Sequence, residues 1–189
     1  MRIGILALQG AFLEHKKILD TLNVENTYIK TKEDLDDIDG IILPGGESTA
    51  MGKLLRDFEI LEKLKSKIEN GFPVFGTCSG MILLAKELMN DKTKHLATMD
   101  ICVKRNAYGR QLGSFETCEE FKGIDKKVEM VFIRAPYVES VGENVQILSK
   151  VDEKIVAVRE KNMLAISFHP ELTKDTSIHK YFIEMIRNS

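Results

Sequence analysis

The residues best suited to chemistry in this chain surround a cysteine between two glycines. Cys78 stands in Gly76-Thr77-Cys78-Ser79-Gly80, where a short apolar run ends and a segment of helical pattern begins. A nucleophilic residue with a glycine two positions before it and another two positions after it is typical of a nucleophile elbow. This is a tight strand-to-helix turn that lifts one side chain out of the sheet. Because a helix N-terminus favours thiolate over thiol, the motif predicts Cys78 as a nucleophile. Cys102 and Cys118 lack this frame and are predicted to be small buried side chains.

A base for this nucleophile is predicted in SFHPEL at 167–172. Pro170 biases His169 toward extended backbone, and in extended chain positions i and i+2 point to the same side. The carboxylate of Glu171 is therefore within reach of the His169 imidazole. A nucleophile, a base and an orienting carboxylate together suit attack on a carbonyl carbon. The remaining histidines are predicted to be ordinary surface residues: His15, His95 and His179.

A glycine-rich loop, LPGGES at 43–48, supplies a third element. Glycines at a strand end before a helix also describe a phosphate cradle, but no GK[ST] follows, which argues against a nucleotide loop. Backbone N–H groups of Gly45, Gly46 and Ser79 are instead predicted to hold a developing oxyanion. One such donor is typically worth about 2.7 to 4 kcal/mol of transition-state stabilisation.

Composition and charge argue against several classes of protein. With 27 Lys+Arg against 29 Asp+Glu in 189 residues, the chain has no net field to bind nucleic acid. Three cysteines without CxxC spacing argue against a disulfide framework and a structural zinc site. No apolar run approaches the eighteen or so residues needed to cross a bilayer. These features predict a cytoplasmic protein without a metal site and without a membrane or nucleic-acid partner.

The elements that must position these residues alternate between short apolar runs and helical patterns. This alternation predicts an α/β fold, with a mainly parallel central sheet flanked by helices, as one domain over residues 1–189. From about 97 to 160 the runs alternate polar and apolar residues, which predicts a β-rich insertion. Strands are predicted at 2–8, 26–30, 40–43, 73–76 and 163–168, and helices at 12–22, from about 48 to 68, at 81–88 and near the C-terminal end.

Several motifs together resemble a known family. The elbow, the PGG loop and the final HPE resemble class I, triad-type glutamine amidotransferases, which have a flavodoxin-like α/β layout. A fuller set resembles the glutaminase subunits of pyridoxal 5′-phosphate synthase. This set comprises LQGAFLEH at 8–15, LPGGEST at 43–49, FGTCSGMILLAK at 75–86, RNAYGRQ at 105–111, FIRAP at 132–136 and SFHPEL at 167–172.

The resemblance implies a reaction, a partner and residue roles. The reaction is hydrolysis of L-glutamine to glutamate and ammonia through a thioester, without a cofactor. The ammonia is channelled to a barrel-shaped synthase subunit within a large hetero-oligomer that makes pyridoxal phosphate. Cys78 is then the nucleophile, His169 the acid and base, and Glu171 the orienting carboxylate. The implied glutamine-binding residues are Gly46, Glu47, Ser48, Arg105, Ile133 and Arg134, and Gln9 lies near the site and the subunit interface. By residue type and spacing alone, Arg105, Arg110 and Arg134 are equal candidates for binding the substrate carboxylate.

Three alternatives stay open from the sequence. One is an amidotransferase subunit that serves another ammonia acceptor, because the triad does not specify the acceptor. Another is a different cysteine hydrolase, although such relatives commonly place histidine directly after the nucleophile, where this chain has Ser79. The last is a non-catalytic assembly subunit, which would not need all three triad residues.

Overall fold

Five parallel strands form the half of the main sheet that carries the site. The computed structural model describes residues 1–106 and 113–189, so Ala107 to Gln111 of the RNAYGRQ motif lie outside the described residues. The strands are β1 (Arg2–Leu6), β2 (Glu25–Ile29), β3 (Gly40–Leu43), β4 (Val74–Thr77) and β12 (Met163–Ile166), in the order β2-β1-β3-β4-β12. Every neighbouring pair in this order is parallel. Since both faces of such a sheet are covered, four of these strands are apolar runs rather than alternating patterns.

Helices cover the two faces of this sheet. They are α1 (Phe12–Thr21), α2 (Ser48–Asp57), α3 (Ile60–Glu69), α4 (Ser79–Leu84) and α5 (Ser177–Arg187). Leu19 of α1 and Phe182 of α5 pack in one core cluster, and α2, α3 and α4 contribute to the other. Successive residues of each strand alternate between these clusters, as in β4, where Val74 faces one cluster and Phe75 the other.

Two predicted helices differ in the structure. The helix predicted from about 48 to 68 is divided into α2 and α3, because Glu59 adopts the left-handed conformation with φ 57° and interrupts it. The helix predicted at 81–88 ends at Leu84. Ala85 takes an extended backbone, and the following residues form a strand, β5 (Ala85–Leu88).

The remaining strands form the predicted β-rich part. The strands β6 (Met99–Lys104), β9 (Tyr137–Val141), β10 (Gln146–Val151) and β11 (Lys154–Glu160) extend the main sheet together with β5, mostly by antiparallel pairing, while β7 (Ser114–Phe121) and β8 (Ile124–Ile133) form a separate hairpin. The predicted fold class is therefore confirmed. No helix in the described ranges is long and apolar enough to span a bilayer.

The two cysteines outside the elbow are less buried than predicted. Cys102 in β6 is half-buried, and Cys118 in β7 is exposed. The prediction for Cys118 is wrong because one face of the hairpin is open to solvent. Residues 114 to 120 of β7 alternate between exposed and partly covered positions, and Cys118 is on the exposed face.

Candidate active site

Cys78 occupies a strained turn between β4 and α4. Its backbone has φ 50° and ψ −100°, outside the regions that L-residues normally adopt, and its N–H donates to the Ile166 carbonyl at 2.8 Å. The flanking glycines are required by close packing. A Cβ on Gly76 would lie 2.6 Å from the carbonyl carbon of Gly80, and a Cβ on Gly80 would overlap the Leu43 carbonyl. The predicted elbow is therefore formed, with the Cys78 side chain mostly buried.

His169 and Glu171 follow β12 and lie against the elbow. The His169 N–H donates to the Val131 carbonyl of β8 at 2.8 Å, which fixes the backbone of this segment. His169 Nδ1 lies 2.7 Å from Glu171 Oε1, and the imidazole lies close enough to the Cys78 side chain for that side chain to raise its pKa. The contact between His169 and Glu171 is as predicted, but residues 170 to 172 form a 3-10 turn rather than extended chain.

The electrostatics of His169 favour its protonated form. Burial lowers the pKa of the imidazole, but hydrogen bonds to Cys78 and Glu171 and the charges of these two side chains outweigh burial and raise the pKa to about 10. A histidine with that pKa holds a proton at neutral pH. It is therefore set up to act as an acid toward a leaving group next to Cys78.

A cavity of about 780 Å³ opens over Cys78 and His169. Its walls include most of the residues predicted for the site: Gly45, Gly46, Glu47, Ser48, Ser79, Arg105, Ile133 and Arg134. Glu171 lies behind His169, is 5% exposed and does not line the cavity. The volume is in the range of small-molecule sites.

The glycine loop is held from three directions. Gly45 accepts a hydrogen bond from the Ala11 N–H at 2.9 Å, and Gln9 Oε1 accepts from the Glu47 N–H at 2.8 Å. The Gly46 N–H donates to Ser79 Oγ at 3.2 Å, while the Ser79 hydroxyl donates to the Gly46 carbonyl. In this conformation the Gly46 N–H already has a partner, so the predicted oxyanion donor is not free.

Glu47 serves a structural role in this conformation. Its carboxylate accepts from the N–H groups of Thr49 at 3.0 Å and Ala50 at 2.7 Å and thereby caps α2. These backbone bonds, first that of Ala50, lower the pKa of Glu47. Glu47 rather than Ser48 or Thr49 is therefore the N-cap of α2, since its side chain reaches the free N–H groups of the first turn.

The two predicted arginines on the cavity wall differ in their partners. Arg105 Nη2 lies 2.8 Å from Asp91 Oδ2, so its charge is already paired. Arg134 follows β8 with φ 44°, and its N–H donates to the Gly113 carbonyl at 2.7 Å. Arg110 lies outside the described residues.

Comparison with known proteins agrees with this geometry. The model of the SNO glutamine amidotransferase family matches residues 5–188. The chain belongs to that family. It is 59% identical to "Pyridoxal 5′-phosphate synthase subunit PdxT" of Streptococcus pneumoniae (strain CGSP14), over 99% of this chain and 98% of the relative. It is also 59% identical to the protein of the same name from Clostridium botulinum (strain Loch Maree / Type A3), over 97% and 96% of the two chains.

A solved structure supports the same assignment. A crystal structure described as a glutamine amidotransferase superposes with a TM-score of 0.94, at 43% identity, and covers 98% of each chain. The class I glutamine amidotransferase fold expected from the motifs is therefore shown for this SNO-family chain.

Three histidines of this SNO-family protein were predicted to be surface residues, and all three are buried. His15 and His179 are fully buried against each other, with His15 Nδ1 2.9 Å from His179 Nε2. His95 packs against Gly52, where a Cβ would overlap its ring. One sequence signal was available for His15, because it lies on the apolar stripe of α1 at positions 12, 15, 19 and 22.

Proposed function

We propose that this chain is the glutaminase subunit of a pyridoxal 5′-phosphate synthase, with residues 1–189 as one amidotransferase domain. It hydrolyses L-glutamine to glutamate and ammonia, in the cytoplasm, and passes the ammonia to a separate barrel-shaped synthase subunit in a large hetero-oligomer. The observation that carries the proposal is the grouping of Cys78 and His169 on the wall of one cavity, with Glu171 hydrogen-bonded to His169 from behind. The 59% identity to proteins named as pyridoxal 5′-phosphate synthase subunits, over nearly the full length of the chain, supports this synthase as the ammonia acceptor.

The first half of the reaction breaks the amide bond. The Cys78 thiolate attacks the side-chain carboxamide carbon of glutamine, and the oxyanion forms toward the loop of Gly45 and Gly46 and the backbone of Ser79. His169, which holds a proton because its pKa is about 10, donates it to the departing nitrogen. Ammonia leaves, and a γ-glutamyl thioester remains on Cys78.

The second half of the reaction releases glutamate. His169, now neutral, takes a proton from water, and the resulting hydroxide attacks the thioester carbon. The tetrahedral intermediate collapses with loss of the Cys78 sulfur and returns the pair to its starting state. Glu171 keeps the His169 ring oriented and stabilises its positive charge in both halves. Water is the second substrate, consumed in this half, and neither half needs an electron acceptor.

The glycine loop gives a reason for the partner subunit to control the reaction. Because the Gly46 N–H is bonded to Ser79 Oγ, the loop must rearrange before that N–H turns toward an oxyanion. We expect docking of the synthase subunit to favour the rearranged loop, so that ammonia is released only when an acceptor is present. The isolated chain is then a poor glutaminase.

The test is glutamate release from glutamine by the chain alone and mixed with a pyridoxal phosphate synthase subunit. We expect release to rise on mixing, and pyridoxal phosphate to form when pentose and triose phosphates are added. Ammonium chloride in place of glutamine checks that the synthase subunit itself is active. Cys78→Ala should abolish release, whereas the matched variant Cys118→Ala, at an exposed position, should not. No release in either condition, with an active synthase, would overturn the proposal.

Two further variants separate the roles within the triad. His169→Ala removes the proton carrier, and Glu171→Gln removes only the charge that orients and stabilises it. The loss of turnover should therefore be larger for His169→Ala than for Glu171→Gln. Equal or reversed losses would contradict these roles.

A further inference from the structure

A buried pair of histidines lies directly behind the proposed triad. His15 of α1 and His179 of α5 are 164 positions apart in the chain, and their ring nitrogens are 2.9 Å apart. On its other side, His15 Nε2 lies 3.3 Å from Thr77 Oγ1, one residue before the elbow, and 3.6 Å from Glu171 Oε2. Neither ring is exposed to solvent. The pair therefore connects two helices to the carboxylate that orients His169.

The surroundings select one tautomer of each ring. An ionised carboxylate only accepts hydrogen bonds, so a bare Nε2 of His15 facing Glu171 Oε2 would be repelled, while an Nε2–H is attracted. With the proton on Nε2, His15 Nδ1 accepts the Nε2–H of His179. His179 Nδ1 is then a lone pair, and it has no hydrogen-bond partner among the described residues.

The opposite arrangement is less favourable. With the proton on Nδ1, His15 would donate to His179, and the remaining proton of His179 would sit on Nδ1. That would bury an N–H group with no acceptor in the described part of the chain, which costs more than an unused lone pair. Both rings are neutral in either arrangement, since burial lowers the pKa of His15 and of His179.

We propose that His15 is a positioning residue for the triad, whose Nε2–H bonds to Thr77 and turns its positive end toward the second oxygen of Glu171, and whose tautomer is fixed by His179. Glu171 Oε1 is used by His169 at 2.7 Å, and Oε2 is a buried atom with no hydrogen bond of its own. The N–H dipole of His15 is thus the polar group that stabilises this oxygen among the described residues. The effect on turnover rests on the proposed function, but the tautomers do not.

The titratable groups around Glu171 determine what removal of His15 would do. His169 faces Oε1 from the same segment, His15 faces Oε2 from α1, Cys78 lies beyond His169 on the elbow, and His179 lies behind His15 on α5. Without the His15 N–H, a charged Glu171 is less stable in its buried position. It then supports the His169 imidazolium less well, so the imidazolium gives up its proton at lower pH.

The first experiment measures the tautomers in the full-length wild-type protein by nitrogen-15 NMR of the imidazole rings. Cys78→Ala can be used as a second sample if thiol oxidation broadens the spectra. We expect Nε2–H and neutral Nδ1 for both His15 and His179 at neutral pH. Protonation of His15 at Nδ1 in place of Nε2 would overturn the proposal. This reading does not depend on glutamine turnover, so it holds even if the proposed function fails.

The second experiment compares His15→Phe, His15→Gln and the control Lys17→Ala, which changes an exposed residue of the same helix. His15→Phe fills the space without a donor, and we expect kcat with the synthase subunit to fall about tenfold to a hundredfold with KM little changed. The basic limb of the pH profile and the NMR titration of His169 should both move to lower pH. In His15→Gln, the side-chain amide N–H takes the place of the imidazole Nε2–H. This variant should therefore recover much of the kcat that is lost in His15→Phe.

The outcomes separate positioning from mere packing. A folded His15→Phe with unchanged kcat and unchanged His169 titration would overturn the proposal. So would equal losses in His15→Phe and His15→Gln, since these would reflect packing rather than the donor. If His15→Phe does not fold, the proposal is tested by the kcat and His169 titration of His15→Gln and by the tautomers of the wild-type protein. An inactive wild type would count against the proposed function alone, because the His169 titration still reports on His15.

Discussion

Gly46 and Ser79 are hydrogen-bonded to each other in both directions. The Gly46 N–H donates to Ser79 Oγ at 3.2 Å, and the Ser79 hydroxyl donates back to the Gly46 carbonyl. One side chain thus holds both backbone polar groups of Gly46, whose N–H would have to turn toward an oxyanion. We call this pair of hydrogen bonds the clamp, and we expect its strength to determine how poor a glutaminase the isolated chain is.

Removal of the clamp should raise the activity of the isolated chain. Ser79→Ala deletes both hydrogen bonds but keeps the backbone N–H of residue 79. We expect glutamate release by the isolated chain to rise severalfold, with less change in the complex, so that the activation ratio falls. Ser66→Ala, at an exposed position of α3, is the control. An unchanged ratio would show that another contact holds the loop.

The strain at Cys78 makes a prediction about stability. Alanine and glycine at position 78 both remove the thiol, but only alanine keeps a Cβ at φ 50° and ψ −100°. A side chain in such a conformation costs about 1 to 3 kcal/mol, and glycine in place of alanine costs about 0.5 to 1 kcal/mol in chain entropy. We therefore expect Cys78→Gly to be about 1 kcal/mol more stable to denaturant than Cys78→Ala. The reverse order would mean that the turn is not strained.

The features that sequence reasoning found are local ones. The glycine frame of the elbow spans five residues, and His169 and Glu171 are two positions apart, so backbone rules alone predict their proximity. The strand ends at Leu43, Thr77 and Ile166 bring these pieces together, because parallel strands present their carboxyl ends at one edge.

The features that were missed depend on distant parts of the chain. His15 and His179 meet only because α1 and α5 pack on the same face of the sheet, and no local rule relates residues 164 positions apart. The break at Glu59 was missed for another reason: a glutamate in the left-handed conformation carries no glycine or proline signal. The hydrogen bond between Gly46 and Ser79 likewise depends on two loops meeting.

The two arginines on the cavity wall differ in whether they form an ion pair, and this difference predicts unequal roles in substrate binding. Arg105 is bound to Asp91, whereas no ion pair to the Arg134 guanidinium is found among the described residues. We expect Arg134→Gln to raise KM for glutamine about tenfold to a hundredfold, the usual worth of hydrogen bonds to a charged group, with kcat little changed. Arg105→Gln should raise KM less. Equal effects would mean that Asp91 releases Arg105 when glutamine binds.

The buried histidines should make the protein less stable in mild acid. Burial lowers the pKa of His179 to about 4, from an ordinary value of 6.5. The unfolded chain therefore binds a proton that the folded chain does not, and the stability present above pH 6.5 is lost as the pH falls toward 4. Between pH 7.5 and pH 5 this loss amounts to about 2 kcal/mol from His179.

A comparison of variants isolates this contribution. The free energy of unfolding should fall less between pH 7.5 and pH 5 in His179→Gln than in the wild type, whereas Lys180→Ala, exposed on the same helix, should keep the wild-type slope. His169 acts in the opposite sense: its raised pKa contributes stability that is full below pH 6.5 and is lost as the pH rises through about 10. Because His169 is common to all three proteins, its effect largely cancels in the comparison. An identical slope in His179→Gln and the wild type would mean that His179 is charged, or reached by solvent, in the folded state.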